Sequence, residues 1–273
     1  MHSNTRNLRR NRKAASPAVS MIIITAATVV LVLVSSLYAL QVLSRQAAQA
    51  EFSTVQNSVL AFDDALRDIA WDRGGSRSVR FATKYGNMLL IDAGDSAKSF
   101  EIRASGFGDT SESLKLYEFT TAIVKYQMPY PYGTSGNEAY YILGNESAVV
   151  SKITDSLGQA LVKQEPEFSS ITLNYRVRVS EEGYTELLGT NTTINYVDIF
   201  IIRLNCNSSV IGAGDFELVC KNVGLETISS GSYTVNATSP SIIVGTDSIS
   251  LDFLKLGTKV TFNLIIADVR VST

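Results

Sequence analysis

The chain has 273 residues, of which 45% are hydrophobic and 18% are charged, and its formal net charge is −2. This composition fits one or two domains with a hydrophobic core, and it excludes a disordered chain and a protein that binds nucleic acid through a basic surface. The only histidine is His2, so catalysis or metal binding by histidine is excluded for residues 3–273.

The N-terminal region combines a basic start with a long uncharged segment. Residues 1–13 contain five basic residues and no acidic one, and residues 14–44 contain no Asp, Glu, Lys or Arg. About 20 apolar residues suffice to cross a bilayer, so we predict a transmembrane segment at 17–43. The positive-inside rule keeps the basic residues in the cytoplasm and places residues 45–273 outside the cell.

One continuous helix is predicted from Pro17 to Trp71, because no glycine precedes Gly74 and no proline lies between Pro17 and Pro129. Ser16 suits the N-cap, and Pro17 suits the first helical position.

The outer part of this helix carries apolar residues at alternating intervals of three and four, which predicts one face packed on a globular body. These residues are Phe52, Val55, Val59, Phe62, Leu66 and Ile69. A coiled coil with a separate partner is the alternative. The neighbouring residues Asp63, Asp64 and Arg67 are interpreted as ion pairs on the helix surface.

After Gly75 the pattern changes to β-rich runs separated by Gly, Asp and Ser. The predicted strands lie in 78–83, 88–92, 99–104, 114–126, 171–179 and 260–266, and 157–163 fits either a strand or a short helix. The predicted fold class is α+β: a long N-terminal hydrophobic helix followed by a mainly antiparallel β-sheet or β-sandwich head. The predicted parts are a leader at 1–14, the helix at 15–73, and a head at 74–273 whose two lobes would part near 183–193.

The junction Arg12-Lys13-Ala14-Ala15-Ser16-Pro17-Ala18-Val19, followed by the apolar run, resembles archaeal type IV pilin precursors. A weaker resemblance to pilin-like archaeal surface proteins continues to about residue 92. The resemblance implies that a prepilin peptidase recognises Lys13, cuts after Ala14 and leaves Ala15 as the new N-terminus. Bacterial pilins usually have Glu at the fifth mature position, where this chain has Val19, and archaeal members commonly lack that Glu.

The same resemblance implies a structural function without a cofactor. The subunit would assemble with copies of itself or with other pilin subunits through its apolar helix and display its head for adhesion or contact. The implied assembly residues are Pro17, Val19, Ile22, Ile23, Val30 and Val34. The precursor would be a membrane protein with its N-terminus in the cytoplasm, and the mature chain would lie at the cell surface or in an extracellular filament.

Two other fates of the N-terminal region are open. Ala48-Gln49-Ala50 fits the small-x-small rule of ordinary signal peptidase, and cleavage there would release a soluble chain beginning at Glu51. An uncleaved helix would give a monomeric membrane-anchored binding protein. No P-loop, nucleophile elbow or EF-hand loop is present in the sequence, so we expect no enzyme. A secreted hydrolase would need a concave pair of carboxylates.

The predicted extracellular location of the head would permit a disulfide and N-glycans. Cys206 and Cys220 could form a disulfide if Val197–Leu204 and Phe216–Cys220 are neighbouring strands, with two buried free thiols as the alternative. Four sequons place candidate N-glycans on Asn145, Asn191, Asn207 and Asn236. A tyrosine cluster could form either a contact surface or a cover for a sheet edge, and it comprises Tyr126, Tyr130, Tyr132, Tyr140 and Tyr141.

Overall fold

The computed structural model describes residues 7–94, 98–108, 113–129, 138–187 and 192–273 of the chain. Within these ranges, one long apolar helix is followed by sixteen strands that pair mostly in antiparallel fashion. The predicted α+β fold class is therefore confirmed.

The helix, α1, runs from Asn7 to Ala70. It begins ten residues before the predicted start at Pro17, because the preceding Leu, Arg, Lys and Ala residues are good helix formers. The helix ends in a turn where the Asp72 amide donates to the Ile69 carbonyl, and Gly74 then has a φ of 86°. A positive φ favours glycine, which explains the residue at this exit.

The strands have the following bounds. The first eight are β1 Ser76–Thr83, β2 Asn87–Ile91, β3 Lys98–Ser105, β4 Leu114–Thr121, β5 Ile123–Pro129, β6 Ala139–Leu143, β7 Val149–Val150 and β8 Gly158–Gln164. The others are β9 Phe168–Tyr175, β10 Val177–Leu187, β11 Thr192–Asn205, β12 Ser209–Ile211, β13 Gly214–Thr234, β14 Ser241–Val244, β15 Asp247–Ser250 and β16 Lys259–Ser272.

These strands form three sheets. Sheet A has the order β1-β13-β16-β11-β10-β7, sheet B the order β12-β2-β5-β9-β8-β6, and sheet C the order β15-β14-β3-β4. Two pairs in sheet A, β11 with β16 and β10 with β7, are parallel.

Three of the predicted runs differ in the structure. The run 114–126 is two strands, because the chain passes from sheet C to sheet B at Ala122. The run 171–179 is likewise divided at Arg176 between sheets B and A. The ambiguous segment 157–163 is a strand, β8.

The chain separates into two compact units, residues 1–47 and residues 48–273. The boundary lies within α1, so the globular unit includes the helical residues Ala48–Ala70 as well as the strands. We call residues 48–273 the head from here on. We expected two lobes to part at 183–193. Residues 183–187 of this segment belong to β10, residues 192 and 193 belong to β11, and residues 188–191 lie outside the described residues.

The head has two hydrophobic cores, and each takes strands from both sides of residues 183–193. The first core contains the buried face of Ala48–Ala70, the inner residues of sheet B, and one end of β11 and β16. The second core contains sheet C and the other end of β11 and β16.

The two cores lie on opposite faces of sheet A. In β11, Ile199 and Ile201 belong to the second core, whereas Ile202 and Leu204 belong to the first. Successive side chains of a strand point to opposite faces of the sheet. In a strand without a bulge, odd-numbered and even-numbered residues therefore lie on opposite faces. The pairing of β11 with β16 is regular from Ile194 to Asn205, so sheet A itself separates the cores.

Candidate functional site

Residues 19–43 of α1 are mostly apolar, and all of them except the half-buried Val42 are exposed. The helix contains an apolar window with a mean hydropathy of 2.4 and none of its residues buried, and by length and composition this helix is able to cross a membrane. Only the uncharged segment 17–43 fits a bilayer, since 27 residues at about 1.5 Å each give about 40 Å. This segment is compatible with membrane anchoring.

The residues expected to mediate assembly lie in this exposed segment. Val19, Ile22, Ile23, Val30 and Val34 have exposed fractions of 53–69%. The processing residues Lys13, Ala14 and Ala15 and the assembly residue Pro17 are part of the same helix.

Hydroxyl groups in this segment form hydrogen bonds with the helix itself. Thr25 donates to the Met21 carbonyl and Ser36 to the Val32 carbonyl, at 2.8 and 2.7 Å. Thr28 makes the same kind of bond within the helix. These hydroxyls need no partner outside the helix, so they add little to the cost of placing it in lipid or in a helical bundle.

From Ala48 onwards the helix is packed in the head. All six residues of the predicted apolar face are buried, with exposed fractions between 0 and 9%, namely Phe52, Val55, Val59, Phe62, Leu66 and Ile69. The prediction of a helix packed on a globular body is therefore confirmed, and no separate coiled-coil partner is needed to cover this face.

Glu51 fixes the beginning of this packed segment. Its carboxylate accepts hydrogen bonds from the backbone amides of Lys84, Tyr85 and Gly86, at 2.7, 3.1 and 3.2 Å, and from the Tyr126 hydroxyl at 2.6 Å. A Cβ atom at Gly86 would lie 2.3 Å from that hydroxyl oxygen, so the turn between β1 and β2 requires glycine here. Burial and the Glu51 carboxylate both raise the pKa of Tyr126, which keeps its hydroxyl a donor.

Asn222 fixes the other end. Its side-chain amide donates to the carbonyls of Ile69 and Ala70, at 3.1 and 2.6 Å. These carbonyls have no partner within the helix, because the last turn of an α-helix leaves its acceptors free. Sequence reasoning missed both Glu51 and Asn222, since neither their partners nor their burial can be read from helix periodicity.

Asp63 is buried, in contrast to the predicted surface ion pairs. Its exposed fraction is 1%, and its Oδ2 accepts a hydrogen bond from Arg67 at 2.9 Å. Arg67 also pairs with the exposed Asp64. Of the two predicted surface ion pairs, only the one between Asp64 and Arg67 therefore lies on the surface. Gly158 explains the burial, because a Cβ atom there would lie 2.0 Å from the Asp63 Oδ1.

The Asp63 carboxyl group is incompletely compensated. Its Oδ1 has no hydrogen-bond partner, and neither does the hydroxyl of the buried Tyr175, which faces the carboxyl group without forming a regular hydrogen bond. Burial raises the pKa of Asp63, and the neighbouring Arg67 guanidinium only partly offsets this. A buried carboxyl group of this kind costs stability when it is ionised.

Cys206 and Cys220 are buried free thiols. The predicted neighbouring strands are not adjacent, because β16 lies between β11 and β13. Cys220 is paired with Val271 of β16, and Cys206 follows the last residue of β11. Two strand spacings amount to about 9.5 Å, whereas a disulfide requires Cα atoms about 4.4–6.8 Å apart. The sequence prediction of a disulfide is corrected accordingly.

Three of the four sequon asparagines, Asn145, Asn207 and Asn236, are exposed, and Asn191 lies outside the described residues. The Asn145 Oδ1 accepts a hydrogen bond from Arg176 at 2.7 Å, and the Asn236 side chain donates to the Gly108 carbonyl. Exposure makes these sites accessible, and their glycosylation stays a prediction.

The tyrosine cluster divides between core and surface. Tyr126 is fully buried, Tyr140 and Tyr141 are exposed on the edge strand β6, and Tyr130 and Tyr132 lie outside the described residues.

A cleft of about 440 Å³ lies at the ends of β11 and β16. Its lining includes Cys206, Asn207 and Arg270 but no pair of carboxylates, so it does not provide the acid–base pair that a hydrolase would need. Burial and the nearby Asp92 raise the pKa of the Cys206 thiol to about 11, which makes it a poor nucleophile. In the described part of the chain, no group of three His, Cys, Asp or Glu side chains could hold a metal ion.

Comparison of the chain with protein-family models, curated proteins and solved structures gives no match.

Proposed function

We propose that the chain is a structural subunit, major or minor, of an archaeal type IV pilus-like surface filament. In this proposal a prepilin peptidase cuts the precursor after Ala14. The mature subunit then assembles with copies of itself or with other pilin subunits through the apolar segment 17–43. The head is displayed outside the cell for adhesion or contact.

The observation that carries the proposal is the contrast between two parts of one helix. Residues 19–43 expose a continuous apolar surface, whereas Ala48–Ala70 are built into the head. An uncharged helix of this length needs either lipid or other apolar helices around it. A helix that can exchange lipid for neighbouring copies is what a filament subunit requires.

The leader sequence supports the same proposal. Cleavage after Ala14 removes all five basic residues of the N-terminal region, which leaves 19 basic and 26 acidic residues and a net charge of −7. The apolar helix thereby loses its strongest cytoplasmic anchor. Cleavage also moves Pro17 from the interior of α1 into its first turn, where a residue without an amide hydrogen is well tolerated.

The head argues against release by ordinary signal peptidase. Cleavage after Ala50 would remove Ala48, which is fully buried in the first core, and would make Glu51 a flexible terminal residue. The four hydrogen bonds accepted by Glu51 depend on a helical backbone at this position.

The test is the N-terminus of the chain produced in an archaeal host that has a prepilin peptidase. We expect mass spectrometry to find Ala15 at the N-terminus of wild-type protein and an intact leader in a Lys13→Glu variant. Arg9→Glu is the matched control, because it makes the same charge change away from the junction and should be processed normally.

An N-terminus at Glu51 would overturn the proposal in favour of a secreted binding protein, and an intact wild-type leader would favour a membrane-anchored one. If Ala15 is found, electron microscopy with antibodies to the head then shows whether the mature chain is in filaments.

A further inference from the structure

The cleft at the ends of β11 and β16 is rich in hydrogen-bond donors. The side-chain amide of Asn205, the guanidinium of Arg270 and the hydroxyl of Ser272 are among the groups that line it. Among its described lining residues, Arg270 is the only one with a charged side chain. The buried apolar side chains of Leu90 and Val271 also line the cleft. The cleft therefore combines one cation with neutral donors and an apolar part.

A second cation lies directly beside Arg270. Lys221 of β13 is paired with Arg270 of β16, so the two exposed side chains lie on the same face of sheet A, with Cβ atoms about 5 Å apart. Asn205 of β11 is paired with Arg270 on its other side and shares that face. The Asn205 Nδ2 atom donates one hydrogen to Asp268, at 3.5 Å, which leaves its second hydrogen free. One row across three strands thus presents an ammonium, a guanidinium and an amide.

The two cations have no acidic partner in the described part of the chain. Neither Lys221 nor Arg270 forms an ion pair there. Asp268, two residues before Arg270 in β16, is held by Arg203 through both carboxylate oxygens. Asp92 is close to the cysteine of the cleft but is not among the lining residues. Like charges directly opposite each other on neighbouring strands are unfavourable, and a bound anion would relieve this repulsion.

The size and the donors of the cleft indicate which kind of anion fits. Its volume of about 440 Å³ is larger than a free phosphate or sulfate ion needs, and it lies in the range of about 300–1,000 Å³ that is typical of sites for small organic ligands. A phosphate or sulfate ester has three free oxygens, which matches the three donor groups of the row, whereas a carboxylate has only two. The fork of an arginine side chain binds two such oxygens at once.

We infer that this cleft binds a phosphate or sulfate ester of a small organic molecule such as a sugar. Arg270 binds two oxygens of the ester group, and Lys221 and Asn205 bind the third. The organic part of the ligand lies against the apolar side chains of Leu90 and Val271. All of these residues belong to the head, so the inference goes beyond the proposed filament function and does not depend on it.

The test measures ligand binding to the full-length chain in detergent micelles by isothermal titration calorimetry. We expect glucose 6-phosphate and glucose 6-sulfate to bind at one site, inorganic phosphate to bind more weakly, and glucose not to bind. Arg270→Gln should weaken the binding of both esters about tenfold, and Lys221→Gln about threefold. Lys255→Gln removes an exposed charge elsewhere in the head, so it is the matched control and should bind like wild type. Circular dichroism checks that each variant is folded.

Three results would overturn the inference: no saturable binding of either ester, binding of glucose as tight as that of the esters, or unchanged binding by Arg270→Gln. Inorganic phosphate that binds as tightly as the esters would contradict an ester ligand in favour of the free ion. Glucuronate that binds more tightly than both esters would contradict it in favour of a carboxylate. Because the assay needs neither a peptidase nor a filament, its outcome is independent of the proposed filament function.

Discussion

Ile201 and Ile202 are consecutive residues of β11, yet they are buried in different hydrophobic cores on opposite faces of sheet A. Their partners in β16, Ile266 and Ala267, are divided in the same way. Up to the pair Ile201 and Ile266, the buried face of these strands is the one that packs on sheet C. From the pair Ile202 and Ala267 onwards, it is the face that packs on the helix and sheet B.

Truncation of either isoleucine should loosen a different part of the head. Ile202→Ala should lower the free energy of unfolding by about 2–5 kcal/mol and Ile201→Ala by a similar amount, because each leaves a cavity. Hydrogen exchange should distinguish them: Ile202→Ala should weaken protection in Ala48–Ala70 and sheet B, and Ile201→Ala in sheet C. Identical exchange patterns in the two variants would contradict the separation of the cores.

Loss of the Glu51 carboxylate should destabilise the junction between the helix and the β1–β2 turn. Glu51→Gln keeps the size of the side chain but replaces one acceptor oxygen with a donor that faces backbone amides. We expect a loss of about 1–3 kcal/mol in the free energy of unfolding, measured with denaturant. The exposed Glu167 offers a matched control, since Glu167→Gln should have no measurable effect.

Asp63 and Gly158 should be energetically coupled. Gly158→Ala should destabilise the head, because the new methyl group would overlap the Asp63 carboxylate. In the double variant Asp63→Ala/Gly158→Ala the overlap with the carboxylate is gone and only the contact with Leu143 Cδ2 at 2.8 Å remains, so the combined loss should be smaller than the sum of the two single losses. A double-mutant cycle measures this difference, and simple additivity would show that the two residues do not share the space.

The buried carboxyl group should also make stability depend on pH. The pKa of Asp63 is raised in the folded chain, with Arg67, Asp64, Tyr175 and Arg176 as the ionisable groups around it. The contribution of Asp63 to the free energy of unfolding is fully present below the pKa of about 4 that this residue has in the unfolded chain. It is lost as pH rises through the higher pKa that Asp63 has in the folded chain. Wild type should therefore lose stability on this account above pH 4, and Asp63→Asn should lack that component. Denaturation curves at several pH values measure it.

The cysteines should be found as thiols. Alkylation under denaturing conditions without a reductant should add two labels per chain. In the folded chain at pH 8, Cys206 should react with the alkylating reagent much more slowly than in the denatured chain, since burial raises its pKa to about 11. Intact-mass measurement reads both results, and a chain that takes up no label after denaturation would indicate a disulfide.

The sequence predicts some features of this fold better than others, for physical reasons. The apolar face of the helix and most strands are predictable, because burial on one side imposes periodicities of 3.6 and 2. The change of face in sheet A leaves a signal in the adjacent buried residues Ile201-Ile202 and Ile266-Ala267, but periodicity does not show which core each residue enters. The insertion of β16 between β11 and β13, which separates the cysteines, depends on long-range pairing and leaves no local signal.

In the candidate site, too, the features with a local sequence signal are predictable and those that depend on distant residues are not. The uncharged segment 17–43 and the processing junction are visible in the sequence because charge and hydropathy are local properties. Glu51 and Asn222 act through partners 33 to 153 residues away, and Asp63 occupies space left by a glycine, so their roles required the structure.

Glu51 and Asn222 hold the two ends of a helical segment whose apolar face is buried along its whole length. A pull along the axis of the helical segment Ala48–Ala70 would therefore load this buried face and the bonds at both of its ends at the same time, as shear. Contacts loaded together in shear resist rupture far better than contacts that are peeled apart one by one. Within the head, this helical segment is thus attached to the strands in a way that suits mechanical tension.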